Sequence, residues 1–338
     1  MRPLTLAAAA LCVGVLLAIS GSSASAASAP AAGGQLILAQ RNVVYSLPAG
    51  GGRPHRLFAT PAKMVPTAVS HTGGVIGSVD FKHSWGYPDP AAYSIVVSDL
   101  HGGQRHSIGY GQSVALSNDG KWAAIEGVDI HCTKQPRTAD APDPCNALTI
   151  TRTDGSATGR RVYDNFQSEI AAWSHDGSQL AIVHALNRKL SRLEFITRDN
   201  HRVGRTYTLP IGNEVFVQQG DWQRGRIVLS GSTQFGNGFL YDLNTRTGAA
   251  WSTGVPATPE LWLSRGGGQA VLGGVISWKG DPGGVPGGGV IADSLTDYKT
   301  WDAATELWVN QQADESTIPP LHPLYVSKRQ FEVIGWAW

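Results

Sequence analysis

The stretch Ala172-Trp173-Ser174-His175-Asp176-Gly177-Ser178-Gln179-Leu180-Ala181-Ile182 decides the fold. An apolar run ends at Trp173, a polar turn follows, and a second apolar run opens after Gln179. Asp accepts backbone hydrogen bonds in tight turns, and Gly adopts φ > 0 without steric cost. The segment therefore reads as two strands joined by a hairpin turn. The design recurs along the chain. Ser117-Asn118-Asp119-Gly120-Lys121 leads into Trp122-Ala123-Ala124-Ile125, and Ser70-His71-Thr72-Gly73-Gly74 leads into Val75-Ile76-Gly77. Trp222-Gln223-Arg224-Gly225-Arg226 and Ser264-Arg265-Gly266-Gly267-Gly268 are weaker copies. A sixth is more degenerate, with Glu306-Leu307-Trp308-Val309 repeating Glu260-Leu261-Trp262-Leu263.

A second turn type alternates with the first. Asp99-Leu100-His101-Gly102-Gly103, Thr153-Asp154-Gly155-Ser156 and Asp242-Leu243-Asn244-Thr245 are examples. Two hairpins per repeat make four strands per repeat. Repeats of roughly 40 to 50 residues with four strands are propeller blades. The sequence thus predicts an all-β, six-bladed β-propeller of four-stranded antiparallel blades. The turn order predicts that N-terminal strands (Leu36-Ile37-Leu38, Val43-Val44-Tyr45) complete a blade begun at the C-terminus. The alternative is seven blades, with Leu324-Tyr325-Val326 and Phe331-Glu332-Val333-Ile334 supplying the last.

At these residues the chain resembles the TolB-like (WD40-like) propeller repeats, whose turn follows a W-S-P-D-G-x-x-L-A-F pattern. Trp173-Ser174-His175-Asp176-Gly177 is the closest copy, and it departs at His175, where the family favours Pro. The resemblance implies the fold. Because the family includes periplasmic partner-binding modules and blades that precede peptidase domains, it also implies an extracytoplasmic setting.

Composition agrees with an all-β fold with many turns. Gly (41) and Pro (19) sit mostly between short apolar runs, and charged residues are only 16%. The formal net charge of +1 provides no basic field for a phosphate backbone, so nucleic acid is not an expected partner. Arg2, the apolar run Leu4 to Ile19 and the Ala24-x-Ala26 site read as a secretory signal over 1–26. A retained anchor is the other reading, but the run is short for a membrane span. A short linker, 27–34, then precedes a single propeller domain, 35–338, expected to be secreted or periplasmic, without a membrane span and monomeric. Cys12 leaves with the signal. Cys132 and Cys145 remain, and an even pair in an exported chain reads as a disulfide. It would close a loop inserted near 129–147 and contribute about 3 kcal/mol in the chain-entropy picture.

Assembled catalytic chemistry is missing from the sequence. There is no G-x-S-x-G elbow, H-E-x-x-H pair or P-loop, and no catalytic residue or metal ligand set is assigned. The channel mouth is the natural site for function. Aligning the repeats places Gln112, Glu169, Glu260 and Glu306 there, just before or at the start of the innermost strands. Converging carboxylates could hold Ca²⁺ or a basic peptide. The loop from Asp80 to Pro90, with Phe81, Trp85 and Tyr87, is a second candidate contact. The expected function is a non-enzymatic module that binds a protein or peptide through one propeller face. The alternative is a hydrolase or lyase using the mouth carboxylates. The disulfide expectation has a direct check. Alkylating the denatured mature chain should add nothing before reduction and two adducts after it; two adducts without reduction would exclude the pairing.

Overall fold

The structure, a computed structural model, describes residues 34–48, 52–85, 92–128, 146–156, 159–164, 168–186, 190–209, 215–223, 225–233, 238–255, 260–263, 269–275, 288–294, 323–327 and 331–338. The signal segment, most of the linker, Cys132 and Cys145 fall outside these residues. Among the described residues no helix is long and apolar enough to cross a membrane.

The strands form four-stranded antiparallel sheets in chain order. The first sheet contains β1 (Gln35–Gln40), β2 (Val43–Pro48) and β3 (His55–Ala59). The second is β4 (Met64–Val69), β5 (Val75–Trp85), β6 (Ala92–Asp99) and β7 (His106–Gly111). The third is β8 (Ser113–Leu116), β9 (Trp122–Val128), β10 (Asn146–Arg152) and β11 (Arg160–Asp164). The fourth is β12 (Ser168–Trp173), β13 (Gln179–Ala185), β14 (Ser191–Thr197) and β15 (Tyr207–Leu209). The fifth is β16 (Val215–Gln223), β17 (Arg226–Thr233), β18 (Gly238–Asn244) and β19 (Ala250–Val255). The sixth is β20 (Glu260–Leu263), β21 (Gln269–Val275), β22 (Gly288–Ser294) and β23 (Pro323–Ser327), described by its backbone. The last strand, β24 (Glu332–Ala337), pairs with β1 and completes the first sheet in the order β24-β1-β2-β3. The tail therefore does not build a seventh sheet. Nor does any described strand begin at Glu306, which lies between β22 and β23 outside the described residues. The first strand of each sheet neighbours that of the next, and β20 neighbours β24, so the ring closes on itself.

The turns follow from their sequence. In Ser174–Ser178 the Ser174 hydroxyl donates to Asp176 Oδ1 at 2.6 Å and accepts from the Gln179 N–H at 2.9 Å. The Ser178 N–H donates to the same carboxylate oxygen, and Gly177 takes φ 66°. Ser117–Lys121 repeats the pattern with Asp119 and with Gly120 at φ 70°. Ser70–Gly74 carries Thr72 in place of Asp, and the Thr72 hydroxyl instead reaches the Asn118 carbonyl in the next sheet.

Side chains alternate across each strand, so successive residues face opposite sides of the sheet. Ile37 and Ala39 join Val69 and Ile76 of the second sheet, while Leu36 and Leu38 pack on the other side with Val333 and Trp336. Both faces are covered, which is why Leu36 to Ala39 is an unbroken apolar run. The motif tryptophan staples sheets together. Trp173 packs against Leu148 and Ile150 of the third sheet, and its Nε1–H donates to the Ala115 carbonyl at 3.0 Å. Trp222 meets Phe195 of the fourth sheet with ring centroids 4.8 Å apart.

Neighbouring turns approach closely at Gly73. A Cβ there would sit 2.3 Å from the Asp119 carbonyl oxygen and 2.5 Å from Gly120 Cα, both backbone atoms that cannot swing away. Gly73→Ala should therefore cost about 1–3 kcal/mol, read as a lower urea midpoint with an unchanged slope.

Candidate functional site

The ring has two unlike ends. The turn end carries the hairpins that join first to second and third to fourth strands. The loop end carries the other connections. Gln112 lies at the loop end just before β8; its side chain is exposed, and its N–H donates to the Glu126 carbonyl at 2.8 Å. Glu169 is the second residue of β12 and Glu260 opens β20, so the backbone sets both at this same end of innermost strands. Their side chains lie outside the described residues, as does all of Glu306. The sequence reading missed Glu126, whose carboxylate accepts a hydrogen bond from Ser113 Oγ at 3.1 Å beside Gln112.

The large exposed hydrophobics among the described residues collect at the loop end as well. Phe81 is 45% exposed in the second half of β5, its N–H bonded to the Lys63 carbonyl just before β4; Tyr110 is 37% exposed near the end of β7, and Leu186 47% just after β13. The Phe81 ring meets Tyr93 in a T-shaped contact, with ring centroids 4.7 Å apart. Trp85 ends β5 with its side chain outside the described residues, and Tyr87 is outside them altogether. Tyr110 and Leu186 carried no sequence signal, because exposure at a strand end depends on what the neighbouring sheet covers.

The turn end is cross-linked. The Trp338 N–H donates to the His71 carbonyl, the Thr72 N–H to the Asn118 carbonyl, and Asn118 Nδ2 to the Ser174 carbonyl. His175 Nδ1 and Gln223 Oε1 are 2.8 Å apart, so this nitrogen carries the proton and donates to the amide oxygen. Each bond joins one sheet to the next. Asp221 then reaches across the opening: its Oδ1 accepts from Gln223 Nε2 at 3.1 Å and lies 3.5 Å from Nε2 of the buried His71, three sheets away. The outer turns form a parallel series, with His106 to the Thr153 carbonyl, Arg160 to Asp199 and Tyr207 to the Thr245 carbonyl. Among the described residues no group of three or more His, Cys, Asp or Glu could hold a metal ion.

With the geometry in place, comparison with solved structures is informative. TolB from Acinetobacter baumannii superposes with a TM-score of 0.51 at 14% identity, over 78% of this chain and 61% of that one. A TolB-type protein of Agrobacterium tumefaciens gives 0.51 at 13% identity, over 90% and 94%. In fold, the chain is a TolB-like propeller. It spans 61% of the length of the Acinetobacter protein, and identity at this level carries the fold alone. No protein-family model and no curated protein matches the sequence.

One buried ionic cluster of the TolB-like ring lies near the loop end of the fourth sheet. Glu194 is 1% exposed and holds His184 Nε2 at 2.7 Å, Arg202 Nε at 3.3 Å and Arg192 Nε at 3.6 Å. A carboxylate only accepts, so His184 donates from Nε2. Burial pushes the imidazole below the usual histidine range, against the pull of Glu194. The folded ring thus prefers neutral His184, while the unfolded chain takes up a proton near pH 6.5. The unfolded state then binds more protons, and stability falls as pH drops below about 6.5. Urea midpoints measured from pH 7.5 to 5.5 should decline, and His184→Gln should flatten that decline; an unchanged slope would show that His184 does not contribute.

Proposed function

We propose that this chain works outside the cytoplasm as a non-enzymatic binding module, a six-bladed ring that recognises a protein or peptide partner with its loop end. The observation that carries the reading is the gathering of Phe81, Tyr110 and Leu186 at that one end. Exposed aromatic side chains on a rigid scaffold are the groups that dominate protein interfaces. Gln112 and Glu126 add hydrogen-bonding capacity beside them. The opposite end is occupied with its own turn-to-turn hydrogen bonds and presents no comparable apolar group among the described residues. The extracytoplasmic setting rests on the signal-like segment 1–26 and on the TolB-like fold.

The test uses the oxidised mature protein as bait against cell-envelope extract. Partners are identified by mass spectrometry and their affinities measured. Phe81→Ser combined with Tyr110→Ser should weaken the partner by about tenfold or more. Arg105→Ala, a turn-end change, should leave it unaltered. Equal loss in both variants, or no loss in either, would overturn the assignment of the loop end.

A further inference from the structure

The turn end contains a cavity of about 410 Å³ beside the seam where β24 meets β1. His71, Thr72, Gln35, Leu100 and Trp338 line it, with glycine backbone between them. We propose that this cavity binds a small organic cation, an amine or a guanidinium, through His71 Nδ1 and the Trp338 indole. The proposal concerns the opposite end from the partner surface and stands independently of it.

The acceptor pattern points to the ligand. The His71 side chain is 8% exposed, and its Nδ1 has no hydrogen-bond partner. Its Nε2 faces the carboxylate of Asp221, itself 3% exposed. A bare nitrogen lone pair facing a carboxylate is repelled, so the proton resides on Nε2. Nδ1 is then a buried acceptor awaiting a donor. Thr72 Oγ1 has committed its hydrogen to the Asn118 carbonyl at 2.9 Å and turns only lone pairs to the cavity. Among the described residues no Lys or Arg lines the space. The negative charge of Asp221 lies directly behind the imidazole.

The aromatic wall fits the same ligand. Trp338 stacks on His71 with ring centroids 4.4 Å apart and an interplanar angle of 23°. A cation is attracted to the face of an indole, and a planar guanidinium can stack on it. The half-buried indole also covers one face of the imidazole, so both groups belong to the same wall. An anion would meet acceptors in front and a carboxylate behind.

The test is titration calorimetry of the mature protein with agmatine and cadaverine as guanidinium and amine probes, and acetate and glycerol as controls. At least one cation should bind saturably and neither control should. His71→Phe keeps the aromatic stack and deletes Nδ1; Asp221→Asn keeps the shape and deletes the charge. Each should weaken binding tenfold or more. On the wild type, ¹⁵N NMR of the imidazoles should show His71 Nδ1 shifting when the cation is added, a readout that needs no variant. The proposal is overturned by no cation binding up to about 10 mM, by binding that both variants leave intact, by a His71 Nδ1 signal that does not move, or by acetate binding instead.

Discussion

The hydrogen bonding of β24 to β1 is the constraint on which the rest of the structure depends. A sheet edge left open exposes a row of unpaired N–H and C=O groups, and a ring removes the problem only when its last strand finds its first. Here that pairing runs from Gln35 with Ala337 to Ala39 with Glu332, with one irregularity at Ile37 and Leu38. It also carries the contact onward: the Trp338 N–H, just past β24, bonds to His71 in the second sheet. The apolar faces of the first sheet are buried only because that seam is shut, with Leu36 and Leu38 packed on one side and Ile37 and Ala39 on the other.

The closed ring then divides its labour between its ends. At the turn end, short Ser-x-Asp-Gly hairpins spend their polar groups on one another, and Asp221, Gln223, His71 and His175 tie sheets across and around the opening. The paired groups hold one geometry, since moving Asp221, Gln223 or His175 leaves another without its partner, while His71 Nδ1 is unpaired. At the loop end, side chains such as Phe81 and Leu186 are exposed. Rigidity at one end gives the other a fixed platform.

Much of this was legible in the sequence. The Ser174-His175-Asp176-Gly177 and Ser117-Asn118-Asp119-Gly120 turns fold as read, and the alternation of turn types anticipated that terminal strands share one sheet. The strand starts at Glu169 and Glu260 also followed from the repeat. What could not be read is what depends on distant pairs. His175 looks like a departure from the repeat pattern until its bond to Gln223 in the next sheet is seen. Asp221 and His71 are neighbours only because the closed ring sets the second and fifth sheets opposite each other. Glu194, between Leu193 and Phe195, reads as a polar residue of the opposite face, yet it is buried, and only the third dimension supplies His184, Arg192 and Arg202 around it. The repeat marked by Glu306 lies outside the described residues.

The seam has a consequence for the order of events during synthesis. β1 is among the first strands to appear, and its partner β24 follows nearly three hundred residues later. Until then β1 has one unpaired edge and one uncovered apolar face. A contact of such long sequence separation forms late and slowly, so the nascent chain must be kept from strand exchange with its neighbours through the whole of its elongation. Closure of the ring therefore waits for β24, whatever the order in which the sheets between β1 and β24 form.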